Sequence, residues 1–283
     1  MSDDLGTPVL DDHLHLDPEH GRGLEAVKDF ARSGGTHLLV VNKPSWLLGH
    51  EVETGEDFRP VFETTLEVVA RANELLDGRA WPVLGVHPGL VSKLVDDRGF
   101  SPDEARELMQ AGLDVAAEYV DSNDALALKT GRPHYDTSEP VWEASNAVLR
   151  HGLELAAERD CAVQLHTEAS EDLTEIADWA EAAGLDPRKV VKHYAGGELV
   201  GPTPSVMSEK DRLDVAAERG EPFLMETDFV DDPDRPGAVM GPKTVPRRVR
   251  WMREQGYGDA IRNAHVETPE RVYGVDTEAT LDR

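Results

Sequence analysis

Cysteine is almost missing from this chain. Cys161 is the single one in 283 residues, which excludes an internal disulfide. Long apolar runs are missing as well, and none approaches the roughly 20 residues that a bilayer span needs. The opening stretch MSDDLGTPVLDD has neither a basic n-region nor an apolar h-region, so a signal peptide is not expected. A cytoplasmic protein without a membrane partner is expected instead. Positive charge is short: 29 basic residues stand against 56 acidic ones, a net charge of −27, and only 8 of the 29 are lysine. Such acidity opposes non-specific binding to DNA or to anionic membranes and disfavours a nucleic-acid partner. Few lysines and a large acidic excess resemble proteins of salt-loving cytoplasms. There, dissolved ions screen the self-repulsion, with a Debye length near ~3 Å at 1 M salt.

What is present is a regular alternation. Hydrophobic residues make up 39%, enough for a sizeable core. Short apolar runs read as eight strands: TPVLDDHLH (7–15), THLLVVN (36–42), WPVLGVH (81–87), ALALKT (125–130), CAVQLHT (161–167), KVVKHY (189–194), TPSVMS (203–208) and PFLMETD (222–228). Amphipathic, Ala- and Glu-rich segments fall between most of them. SPDE and TSEP carry helix-start signals, and Gly34, Gly78, Gly184 and Gly220 are helix stops. Continuous apolar strands alternating with helices predict a parallel sheet covered by helices. Eight such units at this length predict an α/β chain folded as a (β/α)8 TIM barrel, which typically takes about 250 residues. With no linker, repeat or low-complexity tract, residues 1–283 read as one domain.

The stretch ALALKTGRPHY (125–135) puts a lysine at the end of an apolar strand, where an unpaired ammonium is costly. Other polar residues share that position. His13 and His15 close the first strand on one face, Lys129 ends the fourth, His166 the fifth, His193 the sixth and Asp228 the eighth. The carboxyl ends of barrel strands open on one face, so these groups should converge. Four imidazoles and a carboxylate suit divalent metal, with zinc first and manganese, cobalt, iron or nickel as alternatives. Five ligands are too many for one open zinc site and too few for two metals unless something bridges them. A desolvated Lys129 amine can add carbon dioxide, and the carbamate would bridge two ions. The alternative for Lys129 is a salt bridge, for instance to Asp228.

HLH at 13–15, GVHPG at 85–89, LHTE at 165–168, VKHY at 191–194 and METD at 225–228 resemble the amidohydrolase superfamily of metal-dependent barrels. GVHP and the terminal NAHVETPERVYGVD are most similar to its TatD-related branch, which includes metal-dependent deoxyribonucleases and archaeal hydrolases. That branch usually has a glutamate on the fourth strand. Here the chain reads LKTG, which resembles phosphotriesterases, phosphotriesterase-like lactonases and dihydroorotase-type enzymes.

The resemblance implies a hydrolase with two metals about 3.5–4 Å apart and a bridging hydroxide. His13, His15 and Asp228 would hold one metal, His166 and His193 the other, and Lys129 would bridge them. Asp228 would also be the catalytic residue, taking a proton from water and returning it to the leaving group. His87 could hydrogen-bond a substrate, and Arg132 and His134 in the GRPHY loop could hold an anion. The one basic cluster, GPKTVPRRVRWMR, could touch a phosphate chain or form a solvated helix face. Three functions stand side by side: hydrolysis of a small ester, lactone or phosphoester; a metal-dependent deoxyribonuclease or phosphodiesterase; and a metal-binding barrel without catalysis.

Overall fold

The computed structural model describes residues 5–234 and 239–281. The eight apolar runs form parallel strands: β1 (Leu10–His15), β2 (His37–Val41), β3 (Ala80–Gly85), β4 (Ala127–Gly131), β5 (Ala162–His166), β6 (Val190–Ala195), β7 (Thr203–Met207) and β8 (Leu224–Glu226). Each pairs with the next, from β1 to β8, so the sheet follows chain order. A short strand, β9 (Phe229–Val230), pairs with β1 through Leu14–Phe229 and His15–Val230. Of the predicted eighth strand, 222–228, only β8 forms, and it binds β7; β9 lies just beyond the predicted range and binds β1, which closes the ring into a (β/α)8-type TIM barrel. Between β8 and β9 stands Asp228, a non-glycine residue at φ 47°, whose amide donates to the His13 carbonyl at 3.0 Å.

The covering helices follow from their caps and apolar spacing. In Pro102–Asp121, Ser101 and Glu104 form a reciprocal capping box, with Glu104 accepting from the Ser101 amide at 2.8 Å. Ala105, Leu108, Met109 and Leu113 then recur at three- and four-residue intervals and bury one face. A cap of this kind stabilises a helix by about 1 kcal/mol. The TSEP start behaves differently. Ser138 caps Glu139–Arg159 by backbone position only, with no side-chain bond. The basic cluster lies on the helix Thr244–Glu254 and around it. Lys243 pairs with Asp29 at 3.1 Å, Arg248 binds the Ser208 carbonyl at 2.9 Å and Arg250 binds the Ser33 carbonyl at 2.8 Å. Those cations fasten the helix to the barrel. No helix among the described residues is long and apolar enough to cross a membrane.

Inside the ring the side chains are layered. Leu10, Leu39, Val41, Val83, Ala127, Ala162, Val191 and Leu224 fill the base, and Val272 of the helix Thr268–Tyr273 plugs it from below. Period-two alternation then lifts Lys129, Gln164, His193 and Glu226 into the layer above. In β1 the alternation would put Leu10 and His15 on opposite faces. The pairing with β2 slips by one residue between Asp11 and Leu14, and this bulge returns His13 and His15 to the interior. Two glycines permit the close approach of neighbouring strands beside Lys129. A Cβ on Gly85 would lie 1.8 Å from the Lys129 carbonyl oxygen, and one on Gly131 would lie 1.8 Å from that of His166.

Candidate metal centre

The polar strand ends do meet. His13 and His193 are stacked, with ring centroids 4.0 Å apart, and His13 meets His15 edge-on at 5.1 Å. Asp228 Oδ1 lies 4.0 Å from His13 Nε2 and 3.9 Å from His15 Nε2. His166 Nδ1 faces His193 Nε2 at 2.8 Å. Lys129 Nζ is 3.4 Å from His13 Nε2. Among the sequence candidates, His13, His15, Lys129, His166, His193 and Asp228 thus share one cluster.

Hydrogen-bond partners fix which ring nitrogens are free. The Val41 carbonyl can only accept, so His15 Nδ1 donates to it at 2.8 Å and leaves Nε2 bare. Gln164 donates its amide to the Asp12 carbonyl at 2.8 Å, which turns Gln164 Oε1 toward His13. His13 Nδ1 donates to that oxygen at 2.7 Å and also leaves Nε2 bare. Glu226 Oε1 accepts the Tyr194 amide at 2.7 Å and faces His193 Nδ1 at 3.3 Å, and burial pushes the Glu226 carboxyl well above its ordinary range. Orientation of imidazoles by such partners is how metal-ligating histidines are held. Burial holds the pKa values of His13, His15, His166 and His193 well below the ordinary imidazole range, so all four are neutral at neutral pH.

These donors fit divalent metal. Ligand atoms of His13, His15 and Asp228 all lie within 4.8 Å of one another, as do those of His13, His193 and Glu226. The first set matches the ligands expected for one metal. The second contains Glu226, which the sequence reading passed over although it stands in the quoted METD. A buried glutamate beside a buried histidine is a contact between β6 and β8, and nothing local in the sequence marks it.

Lys129 is 2% exposed, and the structure holds no carboxylate oxygen within 4.0 Å of its amine among the described residues. The salt bridge to Asp228 offered as an alternative is therefore not formed. Burial pushes the amine down to about 8, opposed by the charges of Asp228 and Glu226. Burial also raises Asp228 to about 6, opposed by Lys129 and Lys192.

The cluster opens into a cavity of about 320 Å³. His87 and His134 line it, with Trp46, Leu47 and Val230 as an apolar wall and Lys43 at the rim. His87 lies two residues beyond β3 and accepts the Gly89 amide on Nδ1 at 3.0 Å. His134 Nδ1 faces His166 Nε2 at 2.8 Å. Arg132 is a correction to the sequence reading, because it does not line the cavity. Its guanidinium is held by both oxygens of Glu168 and by Asn146 at 3.1 Å, and it stacks against Trp142 at 4.5 Å. Asn146 and Trp142 come from the following helix, Glu139–Arg159, and Glu168 from the loop after β5, contacts that the GRPHY motif could not reveal. Lys43 was also missed. It pairs with buried Asp17 at 2.8 Å.

Residues 10–274 match the family described as TatD related DNase. An uncharacterized protein of Methanocaldococcus jannaschii is 36% identical over 287 residues, covering 96% of this chain and 97% of that protein. Among solved structures, an organophosphorus hydrolase mutant superposes with a TM-score of 0.61 at 12% identity, covering 94% of this chain and 92% of the other. A mutant of a phosphotriesterase-like lactonase from Deinococcus radiodurans gives 0.59 at 12% identity, covering 94% and 95%. At such identity the two structures speak for the barrel fold alone.

Proposed function

Because this chain belongs to the TatD-related DNase family, a family of metal-dependent hydrolases, we propose that it is a binuclear hydrolase of small esters, lactones or phosphoesters. The observation that carries this reading is the Lys129 amine, which is buried, unpaired and 3.4 Å from the bare Nε2 of His13. An ammonium could not remain beside metal ions held by those histidines. A neutral amine can attack carbon dioxide. The C–N bond forms, one amine proton leaves to solvent, and a carbamate with one negative charge replaces the cation. Its two oxygens would take the role of the glutamate that the family usually has on this strand.

In this reading His13, His15 and Asp228 would hold one divalent ion, His166 and His193 the other, and carboxylated Lys129 would contribute to both. Bound metal supplies Lewis-acid polarisation of the substrate oxygen and lowers the pKa of water. Asp228, raised to about 6, is poised to accept a proton from the attacking water at Oδ1 and to return it to the leaving group. His87 accepts a backbone amide on Nδ1, so its proton sits on Nε2 as a donor to a substrate oxygen. Trp46 and Leu47 form the wall that takes an apolar substituent and excludes water.

The family match over residues 10–274 supports a second reading, phosphodiester cleavage in DNA. A net charge of −27 opposes it through long-range repulsion, as does the cavity's apolar wall. Metal-reconstituted protein in high salt should be assayed on lactones, phosphotriesters, phosphodiesters and single-stranded DNA, with metal counted by elemental analysis. Two ions per chain and turnover of a small ester or lactone are expected. Cleavage of DNA alone would favour the nuclease, and one ion or fewer in folded protein would remove the binuclear site.

A further inference from the structure

Among the described residues, four lysine and arginine side chains are buried, and one of them has no counter-charge. Lys43 is paired with Asp17, Arg132 with Glu168, and Lys129 stands in the metal centre. Lys192 is the fourth. It is 3% exposed, and its Nζ donates to the His193 carbonyl at 2.5 Å, with no carboxylate within 4.0 Å among the described residues. An enclosed ammonium is costly unless something pairs with it. His193 points into the barrel, so alternation turns Lys192 to the outer side of β6. There a cavity of about 250 Å³ opens between the loops after β5 and β6 and the helix Lys210–Arg219.

Arg212, on that helix, is the second cation lining the cavity. Its Nε pairs with Glu209 at 2.6 Å and its Nη1 donates to the Ala195 carbonyl at 3.2 Å, while Nη2 has no acceptor among the described residues. The guanidinium carbon lies 5.5 Å from the centre of the Tyr194 ring. Tyr194 is a non-glycine residue at φ 58° and is exposed. Such a conformation is held against its own cost, and ligand sites are where it recurs. Two acids, Glu171 and Glu198, also line the cavity, but both are exposed, where water and salt screen them. Lys192 is enclosed, so its charge is screened far less. We propose that this cavity is an anion subsite for a carboxylate or phosphate group, with Lys192 Nζ and Arg212 Nη2 as its donors and Tyr194 as a wall. The Tyr194 and His193 ring centroids are 6.2 Å apart, so the subsite neighbours the metal centre. The anion is either free in solution or the acidic end of a substrate, and the same donors recognise both.

Binding is read first in metal-free protein, so it does not depend on the hydrolase reading. The full chain, treated with chelator, is titrated by calorimetry with inorganic phosphate and with acetate at fixed KCl. Saturable binding of at least one anion is expected. Lys192→Met should weaken it about 10-fold or more, the usual loss for a hydrogen bond to a charged group. Arg212→Gln, on the surface helix, should weaken it as well, with circular dichroism to show that both variants fold. Lys129→Met should bind as the wild type does, which separates the subsite from the metal centre. No saturable binding by the wild type, unchanged affinity in Lys192→Met, or loss of binding in Lys129→Met alone would overturn the proposal. A second arm tells the two sources apart in zinc-loaded protein, with a neutral ester and its analogue carrying a terminal carboxylate. A rise in KM of about 10-fold in Lys192→Met, confined to the acidic ester, means that the substrate brings the anion. Unchanged KM values for both esters, with phosphate binding lost in that variant, mean a free anion. No turnover of either ester would remove the hydrolase reading and leave the subsite to the calorimetry.

Discussion

Replacing Lys129 with methionine should make the metal-free protein more stable, although it removes a residue at the centre of the site. The two side chains have similar length, so the change removes the charge with little loss of packing. The amine is completely buried, and burial pushes it from 10.5 to about 8. In the unfolded chain it titrates at its ordinary value. Between those values the unfolded state binds the extra proton, so this group's contribution to stability rises with pH from about 8 to 10.5 and is absent below. Below pH 8 both states are protonated, and the native state bears the full cost of an enclosed ammonium. That cost is about 3 kcal/mol. A chain of 283 residues has an unfolding entropy of ~0.6 kcal/mol/K, so Lys129→Met should melt about 5 °C higher at pH 7. The assay is thermal unfolding by circular dichroism at fixed KCl, with chelator, from pH 7 to 10. The advantage should shrink as pH approaches 10. Adding zinc and bicarbonate should reverse the order, because only the wild type can form the carbamate. An advantage that is absent at pH 7, or that does not change with pH, would refute the claim that Lys129 is an enclosed, unpaired cation.

Other outcomes follow from the same geometry. Asp228→Asn should lower turnover by about 10² or more with both metals largely retained, as read by steady-state kinetics and elemental analysis, and near wild-type turnover would remove Asp228 from proton transfer. Asp12 is fully buried, and burial raises it to about 7 against the opposing effect of the Tyr273 and Ser205 hydroxyls. Its folded pKa exceeds the unfolded one, so wild-type stability is lost as pH rises from about 4 through 7. Asp12→Asn should therefore be about 2–4 kcal/mol more stable than the wild type in urea at pH 8 and nearly equal at pH 4. With a net charge of −27, the melting temperature should climb with KCl into the molar range, and a flat response would remove the salt-adapted reading.

The barrel was legible because each inner strand carries its own signal. ALALKT and CAVQLHT are largely apolar runs that turn polar toward the carboxyl end, at Lys129 and His166. The polar cluster was legible for the same reason, since β4, β5 and β6 deliver Lys129, His166 and His193 by simple alternation. What escaped depends on contacts between strands or with helices. The slip in β1 that turns His13 inward has no local marker, because it is a matter of register with β2. Glu226 reads as one more acidic residue until β6 brings His193 and the Tyr194 amide against it. Arg132 reads as an anion binder until Glu168 and Trp142 take up its guanidinium. The two-residue strand beyond Asp228, Phe229–Val230, was missed because it is too short to stand out as a strand in the sequence.

The closing strand β9 also sets a schedule for biosynthesis. His13 and His15 are among the first residues to leave the ribosome, while β9, their neighbour in the sheet, is separated from them by most of the chain. Leu14 and Phe229, which pair across the closure, are 215 positions apart. Contacts of such separation form late, since the entropy of closing the loop must be overcome before the pairing rewards it. Asp228 reaches His13 and His15 only when that pairing is made. A nascent chain can therefore build seven strands, bury much of its core and still lack the grouping of His13, His15 and Asp228. The candidate metal centre is completed only with the final turn of the ring, so a partly made or C-terminally truncated protein should be inert rather than merely less active.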